Sequence, residues 1–298
     1  MDKIKITFLG TGNAIPTEKR NHTGILISFN NECILIDCGE GIQRQFKIAK
    51  ISPTKITRIL ITHWHGDHIL GLPGLFQTLA MSNYNRTIKL YGPKGTLNYL
   101  GLIEQMLKGL KIKIQINEIQ DMIIDERDFF IQSKSMFHGT PTLAYSINLK
   151  DKRRLDKKKI KKLKLPNSPI LKDLQEGKDI IYKGKKIKSS SISYLEKGKK
   201  ITIILDTLMN PEALLLAQNS DIIIAESTFS SKESDKAQEY LHLTAKDAAT
   251  IAKKSKSKKL ILTHISERYE HIPKVIESEA KKVFKNTSLA KDFDIIKI

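Results

Sequence analysis

Apolar residues recur along this chain with two periods. At the start, Ile4, Ile6 and Phe8 alternate with Lys3, Lys5 and Thr7, a period of two that predicts a β-strand rather than a secretory leader. Strand character covers 3–9 and returns at 24–29, 33–37, 58–62, 88–91, 201–205, 221–225, 259–263 and 292–298. Between these runs, apolar residues three and four apart predict helices over 41–49, 73–80, 96–107, 211–217, 244–254 and 273–284. Pro211 and Pro273 stand where a first helical turn begins. Strands interleaved with helices imply an α/β layered domain.

Residues 150–191 break the pattern, being rich in lysine and poor in aromatics, with Pro166 and Pro169 in the middle. Within 150–188, sixteen Lys or Arg face five Asp or Glu, more than half of the chain's net surplus of +19. The segment separates two strands rather than two domains. It therefore reads as a protruding basic arm at about 150–190 within a single domain spanning 1–298, helical over 155–165 and with a hairpin around Lys183-Gly184-Lys185. The same composition also suits a solvated, disordered loop. So local a surplus points to a polyanionic partner.

Composition narrows the setting. Hydrophobic residues make up 40% of the 298, enough for a sizeable core. No apolar run reaches the roughly 18 to 20 residues that a membrane-spanning helix needs. Cys33 and Cys38 are the only cysteines, which excludes a disulfide framework and fits a reducing, cytoplasmic location.

The densest chemistry lies in Thr62-His63-Trp64-His65-Gly66-Asp67-His68, directly after the apolar run Ile59–Ile61. Imidazole nitrogens and carboxylate oxygens suit zinc. In an extended segment His63 and His65 point the same way and can share one ion. A turn at Gly66 can redirect Asp67 and His68 to a second. His138, Asp206 and His264 each close an apolar run, as expected if one sheet edge carries the site. Gly10-Thr11-Gly12 after a strand lacks the third glycine and the helix of a dinucleotide-binding turn. Its neighbours Lys19 and Arg20 are phosphate-contact candidates, or plain surface charge.

The His-x-His-x-Asp-His run with its later His, Asp and His resembles the metallo-β-lactamase superfamily. Further motifs narrow this to the short-form ribonuclease Z family: Phe8-Leu9-Gly10-Thr11-Gly12, the loop Pro16 to Asn21, Asp37-Cys38-Gly39-Glu40, Gly71-Leu72-Pro73-Gly74-Leu75 and Tyr91-Gly92-Pro93-Lys94-Gly95. They continue with His242-Leu243-Thr244 and Leu262-Thr263-His264-Ile265-Ser266 with Arg268-Tyr269. The resemblance implies a four-layer αββα sandwich with two zinc ions at one edge. It places His63, His65 and His138 on the first ion and Asp67, His68 and His264 on the second, with Asp206 bridging both. Asp67 matches the family's proton acceptor, and His242 a histidine that helps protonate the leaving group. Residue by residue, His242 alone also suits a capping or surface role. Glu226 is placed to orient it, although Ala225 and Ser227 depart from the family's usual neighbours there.

The same cluster serves β-lactamases, thioesterases and phosphodiesterases, so the substrate must come from elsewhere. A basic arm remote from the metals suits RNA. In the resemblance it occupies the position of the element that grips the tRNA elbow, with Lys157, Lys158, Lys159, Lys161, Lys162 and Arg268 as further contacts. Asn167-Ser168-Pro169 replaces the Gly-Pro pair usual near its tip. The implied activity is removal of the 3′ trailer from precursor tRNA by a homodimer, leaving a 3′-hydroxyl on the tRNA. A small-molecule phosphodiesterase on the same scaffold, and a non-catalytic RNA-binding protein, are the alternatives.

Overall fold

The computed structural model describes residues 4–109 and 111–298. Lys3, expected in the first strand, lies outside the described residues. Two seven-stranded sheets carry the fold. The first runs Ile295–Lys297, Lys5–Gly10, Gly24–Phe29, Glu32–Ile36, Arg58–Leu60, Thr87–Gly92 and Lys113–Glu118. The second runs Thr287–Leu289, Leu260–Thr263, Ile222–Glu226, Lys200–Ile204, Pro141–Leu149, Phe129–Phe137 and Ile123–Asp125.

Period-two alternation explains how each sheet is covered. In the first, Leu26, Leu35, Ile59 and Leu90 pack with Ile42, Phe46, Leu75, Phe76 and Leu100 of the helices Ile42–Ile48, Leu72–Met81 and Thr96–Met106. The alternate residues Phe8, Ile25, Ile27, Ile34 and Leu60 are equally buried, on the opposite face. In the second sheet, Ile204, Ile223, Ala225 and Leu262 pack with the helices Pro211–Ala217, Ala245–Lys254 and Lys274–Val283. There too the alternates Ile203, Ile222, Ile224 and Ile261 are fully buried. Helices cover one face of each sheet and the sheets cover each other, the αββα order expected. Tyr145 of the second sheet donates its hydroxyl to the carbonyl of Ile61 at 2.6 Å, tying the inner faces together.

Residues 125–130 and 148–200 form a second compact unit. Its core is Leu165, Leu174, Ile180 and Ile192, flanked by Leu155, Ile160 and Leu171, so the lysine-rich segment is folded rather than a solvated loop. The hairpin stands where expected, pairing Ile180–Tyr182 with Lys185–Ile187. The expected helix over 155–165 shortens to Lys157–Lys162, started by Asp156, which accepts from the backbone N–H of Lys158 and Lys159. A strand, Lys152–Leu155, precedes it and pairs with Ser193–Glu196. The arm thus extends beyond 150–190 at both ends.

Candidate metal centre

Parallel pairing brings the ends of three strands to one level. Ile204 registers with Ala225, and Glu226 with Thr263, so Asp206, Glu226 and His264 emerge from the same carboxyl edge, where α/β sheets usually hold ligands. His138 follows directly on Phe129–Phe137. From the first sheet, the segment after Arg58–Leu60 carries His63 and His65 into the short helix Gly66–Ile69, which holds Asp67 and His68. Gly39 permits this meeting, because a Cβ there would overlap the carbonyl of Asp67 and the side chain of His22.

The seven expected ligands fall into two groups. His63, His65, His138 and Asp206 form one, and Asp67, His68, Asp206 and His264 the other, Asp206 belonging to both. In the first group His65 Nδ1 stands 3.0 Å from His63 Nε2 and 3.2 Å from His138 Nε2, with Asp206 Oδ2 3.6 Å from each of those two nitrogens. In the second, His68 Nε2 lies 3.2 Å from Asp67 Oδ2 and 3.3 Å from His264 Nε2, and His264 Nε2 lies 3.2 Å from Asp206 Oδ1. Corners of a tetrahedron about an ion with 2.0–2.2 Å bonds are roughly 3.3–3.6 Å apart. The spacing suits zinc.

Hydrogen bonding reinforces this. His138 Nδ1 donates to the carbonyl of Leu241 at 2.9 Å, and His68 Nδ1 to Asp37 Oδ2 at 2.6 Å. The Thr62 hydroxyl gives its proton to Asp37, so it accepts from His63 Nδ1 at 3.0 Å. The Thr228 hydroxyl gives its proton to Glu226 and accepts from His264 Nδ1 at 2.9 Å. With Nδ1 occupied in all four rings, the Nε2 atoms converge without protons of their own to share. Asp206 Oδ1, buried beside them, has no hydrogen-bond donor. Burial disfavours a charged His68, yet Asp206, Asp67 and Asp37 together raise its pKa well above the ordinary value. Such a pocket requires a cation.

His242 and Glu226 sit beside the second group. His242 Nδ1 faces both oxygens of the fully buried Glu226 at 3.1 and 3.2 Å. Burial alone would lower the pKa of His242, but Glu226 and Asp206 outweigh it and push it up to about 9. The helix cap nearby is Thr244, in a capping box with Asp247, so His242 is not a capping residue. Burial would raise Asp67, but His68 and His264 hold it well below the usual carboxylate range.

The expected RNA contacts divide. Lys19 and the five arm lysines 157, 158, 159, 161 and 162 are exposed. Arg20 is corrected: only 6% exposed, it donates from Nη1 to Thr11 Oγ1 and the carbonyl of Ala290, joining two loops internally. Arg268 is partly exposed but committed to Glu233 and Ser266 and lies over the Phe229 ring. Asp37, Thr62 and Thr228, which fix the ring orientations, were not singled out from the sequence. Asp37 ends an apolar run just as Asp206 does, and that was the available signal. Both Asp37 and His264 hold left-handed backbones, with φ of 55° and 56°; such positions are uncommon away from glycine, although Asp and His are among the residues enriched there.

Comparison with known proteins was made against this geometry. A family model described as anti-Pycsar protein Apyc1 matches residues 4–139, under half of the chain. Ribonuclease Z of Nanoarchaeum equitans is 39% identical over 266 residues, covering 89% of this chain and 84% of that protein. The crystal structure of human tRNase Z, short form, superposes with a TM-score of 0.71 at 26% identity, covering 98% of each chain. The metallo-β-lactamase fold protein YhfI of Bacillus subtilis gives 0.73 at 18% identity over the full length of both, a likeness of fold.

Proposed function

The chain belongs to the ribonuclease Z family, and on that premise we propose that it is a zinc-dependent endoribonuclease that removes the 3′ trailer from precursor tRNA. The observation that carries the proposal is the convergence of four orientation-locked imidazoles and the unpartnered Asp206 oxygen on two overlapping ligand groups. We assign His63, His65 and His138 to one zinc and Asp67, His68 and His264 to the other, with Asp206 shared. When bound, two such ions neutralise charge on the phosphate and make water a stronger nucleophile at neutral pH.

The chain's own groups then have separate tasks. Asp67, kept ionised by His68 and His264, takes a proton from the attacking water. Water adds to phosphorus and the bond to the 3′ oxygen breaks. His242, held by Glu226 through Nδ1, has Nε2 free to give the departing oxygen its proton. Its raised pKa keeps that proton available at neutral pH. The products are a 3′-hydroxyl on the tRNA and a 5′-phosphate on the trailer. The folded basic arm offers exposed lysines to the RNA backbone, which suits recognition by shape. We propose a homodimer as the working assembly, checked by sedimentation equilibrium.

The test is direct: purified protein is incubated with 3′-extended precursor tRNA and the cut end is mapped. A single cut just after the acceptor stem, abolished by chelation and restored by zinc, is expected. Hydrolysis of a simple phosphodiester with no cut in any precursor would favour the small-molecule alternative.

A further inference from the structure

Exposed aromatic side chains are concentrated around the metal pocket. Among the described residues four are exposed: Tyr99, Phe137, Tyr194 and Tyr240. Tyr194 belongs to the arm unit. Tyr99 lies flat on Trp64, the residue between His63 and His65, with ring centroids 4.7 Å apart. Phe137 immediately precedes His138 and is 59% exposed. Tyr240 stands two residues before His242 and is 56% exposed.

Phe137 and Tyr240 flank one junction. His138 Nδ1 donates to the carbonyl of Leu241, so the residues preceding each partner are brought to the same side of the pocket. Both are anchored. The Phe137 backbone donates to Thr207 Oγ1 at 3.1 Å and accepts from Leu208 at 3.0 Å. The Tyr240 ring stacks over Phe229, with centroids 6.3 Å apart and an angle of 18° between planes. Leaving large rings in water is unfavourable, whereas a ring beside a phosphate-cleaving centre can stack a nucleobase without reading its identity.

We propose that Phe137 and Tyr240 form a nucleobase-stacking rim for the nucleotide immediately 5′ of the cut, an inference that rests on the ribonuclease reading above. The side is set by His242, whose ring lies 4.9 Å from that of His138. That histidine serves the departing 3′ oxygen, which belongs to the 5′ nucleotide. Stacking at this point holds the sugar whose oxygen must leave.

The experiment uses precursor tRNA with either its natural base or an abasic site at that nucleotide, cut by the intact protein and by Phe137→Ala, Tyr240→Ala and the double variant. Zinc content is measured for each to verify the pocket. On the natural substrate each single substitution lowers kcat/KM about five- to hundredfold, mainly through KM, in line with the usual worth of one stacked base. Phe137→Tyr and Tyr240→Phe restore most of it. Removing the base slows the intact protein similarly, and the alanine variants lose nothing further on the abasic substrate. Losses that add on the abasic substrate, or no loss on the natural one, overturn the inference while leaving the ribonuclease intact. Failure of the intact protein to cut any precursor would overturn both.

Discussion

Asp37→Asn asks whether the pocket is shaped by the groups behind its ligands. Asp37 is fully buried, and its oxygens accept from three donors: the Thr62 N–H and hydroxyl, each at 2.7 Å, and His68 Nδ1 at 2.6 Å. An amide of the same shape has only one accepting oxygen. Turned one way, its NH2 opposes the Thr62 N–H; turned the other, it opposes both the Thr62 hydroxyl and His68. The first orientation leaves one buried donor without an acceptor, a loss of about 1–3 kcal/mol in unfolding free energy. In either, the negative charge behind His68 is gone, which typically weakens a metal site by about 10- to 100-fold. His68 touches Asp37 directly, whereas His63 is reached only through Thr62. The group of Asp67, His68, Asp206 and His264 should therefore suffer more. Zinc competition against a chelator of known affinity, repeated in a His63→Ala background, resolves the two binding events. Unchanged affinities, or equal losses at both, would refute the reasoning.

Three further outcomes are expected. Asp206→Ala should lose both zincs along with activity, because both ligand groups share that side chain; metal analysis finding two ions retained per chain would contradict the shared assignment. His242→Ala should keep both ions yet slow turnover by roughly 10²- to 10⁴-fold, and normal turnover would remove it from the proton-transfer role. A histidine pushed up to about 9 contributes stability that is complete below its ordinary value near 6.5 and fades as pH rises through 9; urea unfolding across that window should show a shallower loss in Glu226→Gln, and parallel slopes would sink the pairing. Neutralising Lys157, Lys158, Lys159, Lys161 and Lys162 together should weaken precursor tRNA binding and flatten its log–log salt dependence by about 0.7 to 0.9 per lost phosphate contact, whereas binding identical to the parent at moderate salt would make the arm a bystander.

Much of this architecture is legible from residue order, and the omissions share a cause. Buried strands such as Gly24–Phe29 and Ile222–Glu226 are continuous apolar runs, so their positions stand out. The strands Lys113–Glu118, Phe129–Phe137 and Pro141–Leu149 went unpredicted. Lys113–Glu118 is a half-exposed edge, and Pro141–Leu149 buries Thr142, Ser146 and Asn148 among its apolar residues. Polar atoms inside a ladder hide the period that marks a strand. The metal ligands were legible because histidine and aspartate end apolar runs. Arg20 misled for the opposite reason: a basic residue on a polar loop gives no sign that it will be buried against Thr11 and Ala290. Burial of a charge is decided by partners distant in sequence.

Each ligand group draws on both sheets, since His63, His65, Asp67 and His68 follow strands of the first while His138, Asp206 and His264 follow strands of the second. An ion bound to either group is therefore a cross-link between the two halves of the sandwich, closing loops of over a hundred residues. In a chain-entropy picture a permanent link of that span is worth about 4 to 5 kcal/mol. The metals would thus act mechanically as well as chemically, clasping the open edge of the two layers. Their removal should loosen that edge first, and hydrogen exchange should then rise at the carboxyl ends of these strands before it rises in the helices outside them.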